Sequence, residues 1–228
     1  RFESWHLRFF ILLVPCMDSN CKAIVLAAGK GVRMQSEMPK VLHHLNGKPL
    51  VLHVIDNLIH AGLKEEDIIV VVGYRGEDVI QAIGNRARFV WQKEQLGTGH
   101  AVMQAEPVLQ AYNGIVIVAC GDVPLIKPET FSMLFSTAND PKTGAVVLTM
   151  ELENPFGYGR IIRDDNGNLQ RIVEEKDADP VQKAIHEVNT GTYAFKSQLL
   201  FKGLKTVTTE NAQREYYLPD ALTYIRST

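Results

Sequence analysis

Residues 22–40 read KAIVLAAGKGVRMQSEMPK, an apolar run that opens into a glycine-rich bend followed by a Pro-Lys pair. The apolar residues 23–28 predict a buried strand. Gly29 and Gly31 let the chain turn with backbone N–H groups pointing inward, which makes a concave site for an anion. Arg33 and Lys40 add full positive charges to it. The stretch therefore predicts a phosphate-binding loop at the end of the first strand of an α/β fold.

Two common phosphate-loop patterns do not fit these letters. The dinucleotide pattern GxGxxG would need glycine where Met34 stands, and the pattern GxxxxGK[ST] has no match. The pattern that does fit residues 26–40, LxxGxGxRxxxxxPK, resembles that of the sugar-nucleotide pyrophosphorylases. Those enzymes usually have Thr at the position of Val32. The resemblance implies catalytic contacts of Arg33 and Lys40 with the phosphates. It also implies nucleotide contacts of the loop residues Leu26, Ala27, Ala28 and Gly29.

Composition and charge narrow the class of protein. The chain has 228 residues, 46% of them hydrophobic, and a net charge of -2 with no run of like charge. These values indicate a globular protein with neither nucleic acid nor membrane as a partner. Three cysteines without metal-ligand spacing predict reduced thiols, no zinc and a cytoplasmic location. Residues 1–16, just before Met17, are interpreted as an extension, disordered or non-native, with a membrane anchor as the lesser alternative.

Strand-like and helix-like segments alternate up to residue 150. This alternation predicts a Rossmann-like, mainly parallel sheet flanked by helices, with ligands at its carboxyl edge. After residue 150 an Asn-Gly hairpin signal indicates a smaller β-rich lobe for substrate. We expect one domain, residues 17–228, with a nucleotide lobe (about 17–150) and a sugar lobe (151–228). The predicted strands are 22–28, 68–72, 87–91, 115–120, 145–150, 160–163, 169–173 and 188–194, and the predicted helices are 49–61, 76–83, 99–111 and 128–138.

A second motif, QKEQLGTGHA at residues 92–101, directly follows a predicted strand. Glutamine amides offer both a donor and an acceptor, so Gln92 and Gln95 can pair with the edge of a uracil. The glycines around Thr98 allow close backbone approach. The string resembles the bacterial uridylyltransferases that make UDP-N-acetylglucosamine. That resemblance implies uridine contacts for Gln92, Gln95, Gly97 and Thr98.

Residues 115–125, IVIVACGDVPL, form an apolar strand that ends at an aspartate. Carboxylate oxygens suit a hard cation, so Asp122 at the carboxyl edge of the sheet is the candidate ligand for Mg²⁺. By itself, an aspartate after a strand can equally cap a turn. Cys120 stands where the related enzymes commonly have Tyr, which leaves the contact at that position open.

Weaker signals in the second half resemble the sugar-binding positions of the same uridylyltransferases. The resemblance implies that Gly159, Glu174 and Asn189 bind the amino sugar. It implies transfer of UMP from UTP to N-acetylglucosamine 1-phosphate with release of pyrophosphate. The open alternatives are another sugar- or alcohol-phosphate nucleotidyltransferase, using CTP, GTP or a UTP–glucose 1-phosphate pair, and a non-catalytic module that binds sugar nucleotides.

Full-length enzymes of this family continue into an acetyltransferase β-helix through which they form trimers. The sequence contains no hexapeptide repeat, so we expect neither acetyl transfer nor a trimer from residues 1–228, which could stay monomeric. In the family an asparagine, the second protein ligand for Mg²⁺, would follow Thr228. Metal binding by these residues alone is therefore expected to be weaker, with an inactive chain as the open alternative.

Overall fold

The architecture comes from a computed structural model, which describes residues 20–31 and 36–228. Arg33, Val32 and the extension over residues 1–16 lie outside the described residues. A single eight-stranded sheet runs through the described chain in the order β5-β4-β1-β6-β10-β8-β9, with β7 paired to β10. Its strands are β1 (Cys21–Ala27), β4 (Ile68–Val72), β5 (Arg88–Trp91), β6 (Ile115–Cys120), β7 (Ala145–Glu151), β8 (Arg160–Arg163), β9 (Leu169–Val173) and β10 (Glu187–Lys196).

The first four of these strands are parallel, as the alternating pattern predicts. β1 lies between β4 and β6, and β5 pairs with the other edge of β4. Parallel neighbours require crossovers, and helices supply them on the faces of the sheet. A two-stranded ribbon of β2 (His44–Leu45) and β3 (Lys48–Pro49) precedes the first helix. The helices are α1 (Leu50–His60), α2 (Gly76–Ile83), α3 (Thr98–Met103), α4 (Glu106–Leu109), α5 (Pro128–Ala138), α6 (Pro180–Lys183), α7 (Ser197–Leu204) and α8 (Ala221–Arg226).

Side-chain alternation in the strands builds a core on each face of the sheet. In β1, Ala23 and Val25 face a cluster with α1 and α5, whereas Ile24 faces a cluster with α7 and α8. Period two is the cause, since successive strand residues point to opposite faces. Among the described residues, no helix combines the length and the apolar character needed to cross a membrane.

The predicted helix at residues 99–111 is wrong as a single element. The structure has two short helices there, α3 and α4, with a turn between them. Pro107 explains the break because it lacks an N–H and its ring clashes with the carbonyl four residues earlier. The turn leaves α3 as a compact segment behind the 92–98 loop.

The strands of the second half extend the same sheet. β10 pairs antiparallel with β6 from Tyr193 to Lys196, and it also pairs with β7 and β8. The β8–β9 hairpin forms as the Asn-Gly signal predicts, with Gly167 at φ +80°. The β-rich region therefore continues directly from the parallel strands, and the carboxyl end of β6 lies next to β10.

Candidate functional site

A cleft of about 730 Å³ lies at the carboxyl ends of the parallel strands. This is the edge where open α/β sheets bind ligands. All eight residues predicted to bind nucleotide line it, together with Lys40 and Asp122. The lining residues are Leu26, Ala27, Ala28, Gly29, Lys30, Gly31, Lys40, Val41, Gln92, Gln95, Gly97, Thr98, Ala101, Cys120, Asp122 and Glu215.

The glycines of the first loop have different roles. Gly29 is exposed, and a Cβ placed on it would meet no atom within 4 Å, so its backbone is open to a ligand. Gly31 has φ +66°, and a Cβ there would lie 2.8 Å from Cβ of Lys40. The absent side chain therefore lets Lys40 close against the loop. Because Arg33 lies outside the described residues, its predicted contact stays a prediction.

Lys40 and Asp122 form an ion pair across the cleft. Nζ of Lys40 lies 2.5 Å from Oδ2 of Asp122, and the side chains are 42% and 24% exposed. A half-exposed pair is worth at most about 1 kcal/mol, so ligands can displace it at little cost. The two groups predicted for phosphate and metal are thus partners of each other in the ligand-free protein.

The donor set around Asp122 fits a magnesium ion that is shared with substrate. Within the described residues, no group of three or more His, Cys, Asp or Glu side chains could hold a metal. Mg²⁺ often takes only one or two protein carboxylates and completes its shell with water and substrate phosphates. Asp122 supplies one such carboxylate, partly exposed and within the cleft.

The loop at residues 92–98 is held by its own glutamines. Gln92 is only 3% exposed, and its Nε2 donates to the carbonyl of Gly97 and lies 3.0 Å from Nδ1 of His100. The exposed Gln95 donates to the carbonyl of Gln92. Gln92 therefore orders the loop, while Gln95 and the backbone at Gly97 face the open cleft.

A segment near the end of the chain, residues 215–218, completes this wall of the cleft. Tyr216 N–H donates to Leu96, Gly99 N–H donates to Tyr216, and Leu218 N–H donates to Oγ1 of Thr98. A Cβ on Gly97 would lie 2.6 Å from the carbonyl oxygen of Tyr216, which requires glycine there.

Glu215 in this segment lines the cleft, and burial raises the pKa of its carboxyl group. Glu215 is not among the residues predicted from sequence to form the site. No local pattern marks it, because its place in the wall depends on contacts with a loop more than a hundred residues earlier.

The three residues predicted to bind sugar form a neighbouring cluster, and none of them is among the residues that line the cleft. Asn189 N–H donates to the carbonyl of Gly159 at 2.8 Å. A Cβ on Gly159 would lie 3.1 Å from Oε1 of Glu174. Gly191 links the cluster to the cleft, since its carbonyl oxygen lies 3.7 Å from Sγ of Cys120.

Two consecutive glutamates at this cluster, Glu174 and Glu175, have pKa values shifted in opposite directions. Burial, followed by repulsion from Asp177, raises the pKa of Glu174. The next residue, Glu175, accepts a hydrogen bond from the buried Arg160 at 2.7 Å, which lowers its pKa. Arg160 thus neutralises Glu175, whereas no cation within the described part of the chain forms an ion pair with Glu174.

Cys120 lies where the cleft meets the sugar cluster. Burial raises the pKa of its thiol to about 12, and the negative charge of Asp122 adds to the effect. The thiol is therefore protonated near neutral pH and is a small neutral group rather than a nucleophile.

The parallel sheet carries a glycine-rich loop, a lysine and an aspartate at its carboxyl edge. This arrangement is typical of nucleotide-binding α/β proteins. The chain belongs to the nucleotidyl transferase family, whose model matches residues 22–227.

Known relatives agree with this assignment. The chain is 48% identical over 208 residues to the bifunctional protein GlmU of Oceanobacillus iheyensis, covering 91% of the chain and 45% of the relative. It is 50% identical over 204 residues to GlmU of Heliobacterium modesticaldum, covering 90% and 44%. The chain thus spans about half the length of the curated relatives it matches. A UDP-glucose pyrophosphorylase complexed with UDP-glucose has the same fold, with a TM-score of 0.69, 19% identity and coverage of 91% and 87%.

Proposed function

We propose that this chain is a uridylyltransferase that joins UTP to N-acetylglucosamine 1-phosphate and releases pyrophosphate. The observation that carries the proposal is the meeting of the 26–31 loop, the 92–98 loop, Lys40 and Asp122 on one cleft. The likeness to GlmU proteins over 91% of the chain supports it. Because the chain spans about half of those relatives, the proposal concerns uridylyl transfer alone.

In the proposed complex, the triphosphate binds the backbone N–H groups of the loop that follows β1, residues 28–31. The exposed position of Gly29 supports this, because a ligand can approach the backbone there closely. Lys40, and Arg33 from outside the described residues, would supply positive charge to the phosphates. The uracil would lie on the 92–98 loop, with the side chain of Gln95 and the backbone at Gly97 and Thr98 as its partners.

The proposed reaction needs positioning more than covalent chemistry. A phosphate oxygen of the sugar phosphate attacks the α-phosphorus of UTP, and the bond from that phosphorus to the departing pyrophosphate breaks. When bound, Mg²⁺ neutralises charge that builds on the phosphates. Asp122 would hold the ion, and Lys40 would leave Asp122 and turn to the phosphates.

The sugar would lie in the neighbouring cluster of Gly159, Glu174 and Asn189. The cluster lies close to Cys120 of the cleft, which supports this placement. The phosphates in the cleft must connect the uracil to the sugar, so the sugar has to lie next to the cleft. Glu174 has no cation in direct contact among the described residues and can accept hydrogen bonds from sugar hydroxyls.

The proposal includes the setting of the reaction. We propose that residues 17–228 act as one domain in the cytoplasm on small molecules. The three cysteines without metal-ligand spacing and the balanced charge of the sequence support it.

A pyrophosphate-release assay with Mg²⁺ tests the activity directly. UTP, CTP, GTP and ATP are each combined with N-acetylglucosamine 1-phosphate and with glucose 1-phosphate. We expect turnover with UTP and the N-acetyl sugar at least about tenfold above every other pair. Faster turnover with another pair would reassign the substrates. Thermal stabilisation by UTP without turnover of any pair would favour the non-catalytic module.

A further inference from the structure

A bulge in β10 presents Asn189 beside the cleft. Asn189 pairs with Thr149 of β7, and Thr192 pairs with the adjacent Leu148, so two extra residues lie between them on β10. Gly191, at φ +76°, allows the backbone to bulge. Because two extra residues preserve the alternation of the strand, Asn189 and Tyr193 point to the same face.

The hydrogen bonds around Asn189 fix the orientation of its amide. The backbone N–H of Gly191 can only donate, and it lies 3.0 Å from Oδ1 of Asn189. The acceptor end of the amide therefore faces Gly191, and Nδ2 faces the hydroxyl of Tyr193 at 2.6 Å. A half-turn of the amide would place Nδ2 against the Gly191 N–H, donor against donor, whereas the Tyr193 hydroxyl could still donate to Oδ1. Gly191 therefore sets the sense of the amide, and Tyr193 holds its Nδ2 end in place.

Tyr193 is itself held rigidly. It is 2% exposed, and its ring stacks on that of Phe195 with the centroids 5.5 Å apart. Burial strongly raises its pKa, so the phenol is neutral. A buried hydroxyl on a fixed ring is a reliable partner for an amide, because little conformational freedom is lost when a ligand arrives.

After these contacts, Asn189 retains one N–H and one oxygen lone pair for a ligand. Cys120 in the cleft lies beside Gly191 of the bulge: a Cβ on Gly191 would lie 3.0 Å from Sγ of Cys120. The amide is thus oriented next to the cleft.

We propose that Tyr193 is a positioning residue for sugar recognition, which holds the Asn189 amide, in the sense that Gly191 sets, toward the pyranose of a sugar nucleotide. The inference rests on the proposed function, because it takes Asn189 as a sugar contact. The expected ligand is a sugar with a hydroxyl or acetamido group that accepts a hydrogen bond from Nδ2 of Asn189 and donates one to its Oδ1. Tyr193 has no contact with the ligand in this account.

Calorimetric titration with UDP-N-acetylglucosamine and with UDP tests the inference. We expect Tyr193→Phe to weaken the sugar nucleotide about five- to tenfold, the effect of one lost hydrogen bond, and to leave UDP unchanged. In an Asn189→Ala background the same substitution should cause no further loss, because its effect passes through Asn189. Tyr112→Phe is the matched control, since the hydroxyl of Tyr112 bonds the carbonyl of Ile115 at the opposite end of β6.

The outcomes separate the inference from the proposed function. If the wild-type chain binds neither ligand, both are wrong. If it binds the sugar nucleotide but Tyr193→Phe has no effect, weakens UDP equally, or adds fully to Asn189→Ala, the positioning role alone is overturned.

A measurement on the wild-type chain avoids the risk that Tyr193→Phe does not fold. NMR exchange of the Asn189 side-chain amide should show one slowly exchanging hydrogen before any ligand is added, bonded to Tyr193. Rapid exchange of both hydrogens would contradict the inference. Asn189→Ala provides the assignment of the signals.

Discussion

The proposed nucleotide end and the proposed sugar end of the site differ in how their side chains are held. At the nucleotide end, the backbone at Gly29 is exposed, and Lys40 and Asp122 form an ion pair that a ligand can displace. At the sugar end, Asn189 already has partners on both ends of its amide. The difference indicates that the Lys40–Asp122 ion pair rearranges when a ligand binds, whereas the orientation of the Asn189 amide is fixed before binding. Substitutions should therefore change catalysis most at the first end and selectivity at the second.

Asp122 should give the largest effect. In Asp122→Ala we expect turnover to fall about 1,000-fold, because several kcal/mol of phosphate charge stabilisation depend on the metal that Asp122 would hold. The melting temperature should hardly change, since only a half-exposed ion pair is lost. Pyrophosphate release and a circular-dichroism melt measure both. Glu129→Gln in α5 is the control, and normal turnover in Asp122→Ala would contradict the metal role.

Lys40 tests whether the ion pair competes with the metal. Lys40→Ala should lower kcat/KM about 100-fold by removing a phosphate contact. The same change should tighten Mn²⁺ binding to the ligand-free chain about three- to tenfold, because Lys40 no longer occupies Asp122.

Electron paramagnetic resonance of Mn²⁺ measures the second effect without substrate. The exposed Lys202 provides the control substitution to Ala. Unchanged or weaker Mn²⁺ binding in Lys40→Ala would show that the two cations do not compete.

Gly97 tests the close packing of the base loop on residues 215–218. Gly97→Ala should lower the free energy of unfolding by about 2 kcal/mol more than Gly84→Ala, and it should weaken UTP about tenfold. Both glycines have positive φ, but a Cβ on Gly84 meets nothing within 4 Å, whereas one on Gly97 meets Tyr216. Denaturant melts and UTP titration of the pair measure the difference, and equal losses would show that the contact with Tyr216 is unimportant.

The smallest predicted effect on the fold comes from Glu174 and concerns its ionisation. Its raised pKa means that the folded chain holds this proton more tightly than the unfolded chain, so the ionised form destabilises the fold at neutral pH. Glu174→Gln should raise the melting temperature at pH 7 by about 2–4 °C, the effect of about 1 kcal/mol. The gain should disappear as the pH falls below the ordinary value of 4.5.

Glu175→Gln is the control with the opposite sign. The pKa of Glu175 is lowered by Arg160, so its ionised form stabilises the fold, and that stability is lost as the pH falls through the lowered pKa. Melting curves of both variants from pH 3.5 to pH 7 make the comparison. A loss of stability in Glu174→Gln at pH 7 would contradict the electrostatics described for it.

The meeting of the predicted nucleotide-binding residues in one cleft could be anticipated from sequence because their signals are local. Gly29 and Gly31 come just after β1, and Asp122 comes just after β6. Because these strands are parallel, their carboxyl ends lie at the same edge of the sheet. The bulge in β10 and the wall formed by Glu215 could not be predicted, because both depend on pairing between distant segments. The prediction of a single helix at residues 99–111 was wrong because Pro107 interrupts the helical hydrogen bonding there.

A crystal structure with UDP-N-acetylglucosamine bound is the most direct test of the central claim. The account predicts the uracil on the loop at residues 92–98, the diphosphate against residues 26–31 near Asp122, and the sugar beside Asn189. Uridine bound elsewhere, with this cleft empty, would contradict it.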